Sequence, residues 1–336
     1  MATIKDIAKL SGFSVGTVSR VINNHPDVSE ETRKKIQKII EKENFQPNAN
    51  AKMLKQTRTS SVSVIVKGTG NLFLNSLLEK IQMCLRDNGE EAFVTFLKES
   101  ENEVLFANQL CVERNPKGLI FLGGDLACFQ KDFGQISTPS VLASADASGL
   151  PFENLSSFST DDYKASREAA GLLIRKGHRN IGIIGGFTSF EEEQVSSRRV
   201  MGAVDMMKEN HIDFDKGNYL ESIFSMQDGY EKTRLLLEKN PGITAVFAIG
   251  DLIAIGALRA IRDAGLKVPQ DISLIGFDGI ENTDYTIPRI TTVRQDIDSI
   301  AKKSVDDLLF RIMYPRTAVH EFIPFELIEK DSVGSA

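Results

Sequence analysis

Cysteine and histidine are scarce in this chain of 336 residues, and neither is arranged for chemistry. Cys84, Cys111 and Cys128 lack metal-ligand spacing and read as reduced structural thiols of a cytoplasmic protein. His25, His178, His211 and His320 are scattered, and His178, directly after Gly177, reads as a helix-end residue rather than a base or ligand. No apolar run approaches the ~20 residues of a membrane-crossing helix and no signal peptide is apparent, so neither membrane insertion nor secretion is expected. Gly68-Thr69-Gly70 follows a strand pattern, but the third glycine of a dinucleotide fingerprint would fall at Phe73. A phosphate loop of the Gly-x-x-x-x-Gly-Lys-Ser/Thr type is also missing. No catalytic constellation, metal site or cofactor is expected.

What is present divides by charge. Residues 1–60 hold 11 Lys or Arg against 6 Asp or Glu, a balance of +5, which leaves 29 against 40, or −11, for the remainder. A basic head on an acidic body points to a polyanion as the partner of the head, which the whole-chain value of −6 would hide. Within the head, Val18, Val21 and Ile22 form one apolar stripe behind Ser14, a good N-cap, while Val15, Gly16, Ser19, Arg20 and Asn23 occupy the opposite face. Thr3 and Asp6 have capping-box spacing at the start of a preceding helix that carries Ile4, Ile7 and Ala8 and stops near Gly12. The pair reads as a helix-turn-helix. A third helix begins after Ser29, with Glu30 and Glu31 at its positive end and Ile36, Ile39 and Ile40 closing a three-helix core that Phe45 completes. The same pattern also fits a helical hairpin that only packs on something else.

Thr17 to Asn23, Val28-Ser29, Thr32-Arg33 and Pro47-Asn48 leading to Ala51-Lys52-Met53-Leu54 together resemble the DNA-binding head of the lactose/galactose repressor family. The resemblance implies that Val15, Gly16 and Arg20 stand at base-reading positions, where arginine can bond bidentately to guanine and valine can touch a thymine methyl. Ser14, Thr17, Ser19 and Asn23, with Thr3 at the first helix start, then fall to phosphates or helix starts. It further implies a hinge over residues 47–60 whose Asn48, Ala51, Lys52 and Leu54 meet DNA, with Leu54 as the minor-groove wedge. Lys52 replaces the family's usual Arg, which keeps the charge but loses the planar fork.

Beyond residue 60, strand patterns at Val62 to Val66, Phe93 to Leu97, Gly118 to Leu122, Ile181 to Gly185, Ala245 to Ile249 and Ile272 to Phe277 alternate with helical stripes. Alternation of this kind implies parallel sheets covered by helices. The expected fold is a small all-α helix-turn-helix domain followed by an α/β core of two doubly wound parallel-sheet subdomains, which the resemblance makes periplasmic-binding-protein-like. The expected domains are 1–46 for the head, 47–60 for the hinge and 61–336 for the core. Within the core one subdomain spans about 61–160 and 292–323, the other about 161–291 and 324–336, with crossings near residue 160, Thr291 and Pro324.

Segments including Gly177-His178-Arg179, Asp251 with Gly256, Gly276-Phe277-Asp278 and Thr291-Thr292-Val293 extend the resemblance over the core. It implies an effector held at the carboxyl ends of strands by Arg199 and Asp278, with Asp161, Asp251 and Gln295 at neighbouring positions and Phe73 or Phe224 covering a sugar face. Arg199 could instead pair with Glu191-Glu192-Glu193, Asp278 could start an Asp-Gly turn, and the phenylalanines could be core. Gly250 stands where the family commonly has Asn or Ser, and Asn71-Leu72-Phe73 where it has Asn-Pro-Phe. The expected function is a cytoplasmic, homodimeric repressor of carbohydrate-utilisation genes that binds palindromic operator DNA under control of a sugar or sugar phosphate. A purine-responsive regulator of the same architecture and a sugar-binding protein without DNA binding are the alternatives.

Overall fold

The computed structural model describes residues 4–22, 28–42, 61–186 and 195–336, with the side chains of 4, 5, 19, 22, 41 and 42 left aside. The chain divides into two compact units, Met1–Ser60 and Ser61–Ala336.

In the first unit, α1 (Ile4–Ser11), α2 (Val15–Ile22) and α3 (Glu30–Lys42) enclose a small core of Ile7, Ala8, Val18, Val21 and Ile36. Gly12 turns the chain at φ +72°, a conformation that costs little only without a Cβ. Ser14 then starts α2, accepting the Thr17 N–H on Oγ at 3.1 Å and the Val18 N–H on its carbonyl at 3.0 Å. Ser29 does the same for α3 through the Thr32 N–H, at 3.4 Å. Phe45 lies outside the described residues.

The second unit is built as two six-stranded sheets. Strands β1 (Val62–Lys67), β2 (Ala92–Leu97), β3 (Gly118–Leu122), β4 (Ser140–Ala143), β5 (Leu155–Thr160) and β11 (His320–Ile323) make the first, in the order β11-β5-β4-β3-β1-β2. Strands β6 (Ile181–Ile184), β7 (Tyr219–Leu220), β8 (Ala245–Ala248), β9 (Ser273–Asp278), β10 (Thr291–Gln295) and β12 (Phe325–Ile328) make the second, in the order β12-β10-β9-β8-β6-β7. Every pairing is parallel except β10 with β12. The central strands are buried along their whole length, because helices cover both faces of a parallel sheet.

The covering helices are α4 (Leu72–Asp87), α5 (Glu103–Arg114), α6 (Leu126–Asp132), α7 (Asp162–Arg175), α8 (Val195–Glu209), α9 (Met226–Lys239), α10 (Asp251–Asp263) and α11 (Ile297–Met313). The chain leaves the first sheet after Thr160, returns after Gln295 and leaves again at Pro324. The return is later than Thr291, because β10 stays in the second sheet, paired with β9 and β12. None of the described helices is long and apolar enough to cross a membrane.

Two helix pairs in the second lobe meet backbone to backbone. A Cβ on Gly202 of α8 would lie 2.2 Å from the Tyr163 carbonyl oxygen of α7, and one on Gly256 of α10 would lie 2.0 Å from the Met226 oxygen of α9. These glycines are required by space rather than by dihedral angle. Gly256→Ala is expected to destabilise the core by about 1–3 kcal/mol through overpacking, read as a lower urea midpoint. An unchanged midpoint would show that α9 shifts freely on α10.

Candidate functional site

In the head, the buried Val18 and Val21 turn the other face of α2 outward. Ser14, Val15, Gly16 and Arg20 are exposed, Val15 by 41%, and Thr17 is half-buried with its hydroxyl 2.9 Å from that of Ser14. A Cβ on Gly16 would meet only the Ser14 Oγ, at 3.6 Å, so the surface there is bare. The arrangement offers a cation and a methyl-bearing side chain on a short helix face, as base-edge contact requires. Thr3, Asn23, Asn48, Ala51, Lys52 and Leu54, and the Ser19 side chain, lie outside the described residues.

In the core, a cleft of about 410 Å³ is lined from the first sheet by Lys67, Phe73 and Ser144, and from the second by Arg199, Phe224 and Asp278. Lys67 and Asp278 are the last residues of β1 and β9, and Ser144 directly follows β4. The cleft therefore opens at carboxyl ends of parallel strands, where α/β sheets hold ligands.

Arg199 organises the second wall. Its side chain, on α8, is 4% exposed and donates from Nε to Asp162 Oδ1 at 2.7 Å. From Nη1 it donates to the Ile249 carbonyl at 2.7 Å and to Asp278 Oδ1 at 3.1 Å. The guanidinium lies 3.7 Å from the centre of the Phe277 ring, a cation–π arrangement. Nη2 has no acceptor among the described residues. Asp278 sits at φ +117°, a strained value for a residue with a side chain, and Gln295 Nε2 donates to the same Oδ1 at 2.9 Å. Burial pushes the Asp162 carboxyl up to about 6 against the pull of Arg199, and pushes Asp278 upward in the same way.

The remaining residues expected at the site divide. Phe73 and Phe224 line the cleft, although Phe73 is also part of the first lobe's core. Asp161 does not line it: its Oδ1 accepts the Lys164 N–H at 3.0 Å and caps α7, while the adjacent Asp162 is the partner of Arg199. Asp251 is fully buried behind the wall. Its Oδ2 accepts the N–H groups of Gly279 and Ile280 at 2.7 and 2.9 Å, and Thr292 Oγ1 lies 2.7 Å from its Oδ1. Asp251 thus fastens the turn that carries Asp278, and Gln295 positions the Asp278 carboxylate. Glu191, Glu192 and Glu193, the other partners considered for Arg199, lie outside the described residues.

Gly250 has a physical explanation in its new neighbour. A Cβ there would fall 2.8 Å from Cδ1 of Phe224, so the ring fills the space that a polar side chain would need.

The first wall contains a pair that sequence reasoning missed. Lys67 Nζ donates to Glu103 Oε2 at 2.6 Å, and Glu103 Oε1 accepts the Asp125 N–H at 2.6 Å. The only sequence signal is a lysine at the end of a strand, Val62 to Val66, that is apolar apart from Ser63. Ser144, at φ +79°, was also missed; its Oγ accepts the Gly123 N–H at 3.3 Å.

His178 is a lock within the second lobe, its ring nitrogens 3.0 Å from Thr244 Oγ1 and 2.9 Å from Ser273 Oγ. Burial pushes the thiols of Cys84, Cys111 and Cys128 upward, the last to about 11, which disfavours the thiolate. Among the described residues no group of His, Cys, Asp and Glu is placed to hold a metal ion.

Residues 3–48 match the family described as bacterial regulatory proteins, lacI family, and residues 170–333 match the periplasmic binding protein-like domain. The chain is 37% identical to the HTH-type transcriptional regulator MalR of Clostridium butyricum over 98% of both proteins. It is 30% identical to the HTH-type transcriptional repressor PurR of Klebsiella pneumoniae (strain 342), over 99% of this chain and 97% of that protein. Among solved structures it resembles the lac repressor bound to ONPG in the repressed state, with a TM-score of 0.71 and 25% identity over 98% of this chain and 99% of that one.

The environment of Asp251 yields a test. Burial first, and then the charge of Asp278, push its carboxyl up from the ordinary 3.8 to about 8, against the downward pull of the bond that Thr292 Oγ1 donates to it. Because the folded state binds the carboxyl proton more tightly, the associated stability is present at low pH and is lost as pH rises through about 8. Asp251→Asn keeps one carbonyl oxygen for the Gly279 and Ile280 N–H groups and removes the titration. The variant should stay within about 1 kcal/mol of the parent at pH 7 and lose less stability between pH 6 and 9, as read by urea unfolding. Equal pH slopes in both proteins would mean that Asp251 is ionised throughout.

Proposed function

The chain belongs to the lacI family of bacterial regulatory proteins, and from that premise we propose that it represses carbohydrate-utilisation genes through an effector-controlled hold on operator DNA. The observation that carries the effector half is the Arg199 bracket. A guanidinium with a remaining donor edge and the carboxylate of Asp278 stand side by side on the cleft wall, with the ring of Phe224 in the same lining. Adjacent donor and acceptor groups match the paired hydroxyls of a sugar, and an aromatic face matches the apolar side of its ring. A sugar or sugar phosphate is the effector class on this reading.

The DNA half rests on α2. One such helix reads one half-site, so a two-fold dimer on a palindrome is the arrangement that uses it fully. Arg20 reads a base, Val15 contacts a thymine methyl, and the residues 47–60 couple the head to the core, with Leu54 as the wedge. The protein works in the cytoplasm, where the operator is. Effector binding changes the angle between the two lobes and with it the spacing of the paired linkers. DNA affinity then shifts by the difference between the effector's affinities for the two states.

The test starts from a palindrome selected by the full-length protein from random duplex. Arg20→Ala should weaken binding to that palindrome by about 1–3 kcal/mol and relax specificity at one base pair of each half-site. Parent and variant should both lose affinity steeply as salt rises, since phosphate contacts release counterions. Failure to enrich any duplex would end the repressor reading, and unchanged binding by the variant would remove Arg20 from the base-reading set.

A further inference from the structure

We propose that the cleft takes an uncharged glycoside of at least two rings, one ring against Arg199 and Asp278 and the next in a second chamber beyond Phe224. The proposal rests on the reading of this cleft as the effector site, and goes beyond it in excluding anionic effectors and single rings.

The first argument is charge. Among the described residues the inner chamber is lined by two cations, Lys67 and Arg199, and both are already engaged by carboxylates. Glu103, the partner of Lys67, is 1% exposed, and Asp162, one partner of Arg199, is 5% exposed. The lining carries three carboxylates among the described residues, Glu99 and Asp125 from the first lobe and Asp278 from the second. Two positive charges therefore face three negative ones in the lining, and Glu103 and Asp162 stand directly behind, for a formal balance of −3. A phosphate or carboxylate entering here meets a net negative lining, and it can draw fully on Lys67 or Arg199 only by loosening that cation's hold on a buried carboxylate. A neutral hydroxyl meets no such penalty: it can accept from Arg199 and donate to Asp278 while both ion pairs stay intact.

The second argument is length. A further chamber of about 540 Å³ adjoins the first and shares Glu99, Ile223 and Phe224 with it, so one molecule can run from one chamber to the other past the Phe224 ring. Its walls mix hydroxyls with apolar surface: Thr69, Ser100 and Ser225 beside Leu72, Met226 and Leu252. That mixture suits a ring with polar edges and apolar faces better than it suits an ion. Lys98, the cation of this chamber, is exposed to solvent and adjacent to Glu99, so its attraction for an anion is screened. Gly70 leaves open space on this wall, with no atom within 4 Å of where its Cβ would be, and a side chain can be placed there without clash.

The experiment is calorimetric titration of the full-length protein with maltose, cellobiose, lactose, sucrose, trehalose and maltotriose. Glucose, glucose 6-phosphate, glucuronate and hypoxanthine are the contrasting probes. At least one uncharged di- or trisaccharide should bind about tenfold or more tighter than glucose, and tighter than either anion. Gly70→Phe, and independently Ser100→Phe, should reduce that affinity at least tenfold while the ligand-free melting temperature stays unchanged. Glucose binding as tightly as the disaccharides, preference for an anion, indifference to both substitutions, or no binding of any oligosaccharide at millimolar concentration would each overturn the proposal. If glucose or glucose 6-phosphate binds and releases operator DNA, the repressor reading survives without this one. If hypoxanthine alone binds, the sugar reading falls with it.

Discussion

The second lobe is tied together by one buried guanidinium. Arg199 reaches from α8 to the start of α7 through Asp162, to the end of β8 through the Ile249 carbonyl, and to the end of β9 through Asp278. Gln295, the last residue of β10, joins the same Asp278 oxygen. Four elements that never touch in sequence thus end on one polar cluster, and two of them adjoin places where the chain passes between sheets. Burying such a cluster is not in itself stabilising, because desolvation offsets most of the attraction, but removing one member leaves its partners charged and unpaired. The strained φ of Asp278 persists for the same reason: Arg199 and Gln295 hold its carboxylate while Asp251 holds the turn that follows.

The cluster has more carboxylates than one guanidinium can neutralise, and protonation settles the difference. Burial raises Asp162, Asp278 and Asp251 together, and Asp251, which has no cation beside it, is raised to about 8. Each contributes stability that is complete below its ordinary value and lost as pH rises through the folded one. His178 acts in the opposite sense, since burial lowers it: its contribution is present above the ordinary 6.5 and is lost as pH falls. The lobe is thereby opposed from both sides of neutrality by groups at the two ends of the same sheet, the carboxylates at the cleft and the histidine beside Ser273 at the start of β9.

The legible parts of the fold are those where burial and hydrophobicity coincide. The stripe of Val18 and Val21 and the caps Ser14 and Ser29 are visible as pattern, as are the strands at Val62, Gly118, Ala245 and Ser273. Strand β5 reads Leu-Ser-Ser-Phe-Ser-Thr and is silent to any hydrophobic rule, yet all six residues are buried. Ser156 and Ser157 tolerate burial because distant groups satisfy them: Arg311 donates to Ser156 Oγ at 2.9 Å, and Ser157 Oγ lies 2.8 Å from His320 Nδ1. Those partners are more than 150 residues away, so no local window contains the explanation. At the site, resemblance points to Arg199 and Asp278, but of two adjacent aspartates it selects Asp161, the helix cap, over Asp162, the ion-pair partner. One step along the chain separates the two roles, and only the direction of the first helical turn decides between them. The pair Lys67 and Glu103 is hidden for a plainer reason, since an ion pair 36 residues apart leaves no periodicity.

The layout also constrains what an effector can do. Each sheet is a rigid slab, with buried strands at its centre and, in the second lobe, helices packed too closely at Gly202 and Gly256 to slide. The slabs are joined covalently at three places, and the first two run straight into a capped helix. Asp161 accepts the Lys164 N–H at the start of α7, and Asp296 accepts the Ser299 N–H at the start of α11. The third is Pro324, whose ring fixes φ and removes a donor between β11 and β12. Stops of this kind leave little freedom for bending within a lobe and confine relative motion of the sheets to a few dihedrals at the joins. A ligand bridging both walls acts on those joins directly, because Lys67 and Phe73 belong to one slab and Arg199 and Asp278 to the other. The acidic body, at −11, repels DNA on its own account, so any grip on a duplex falls to the +5 head.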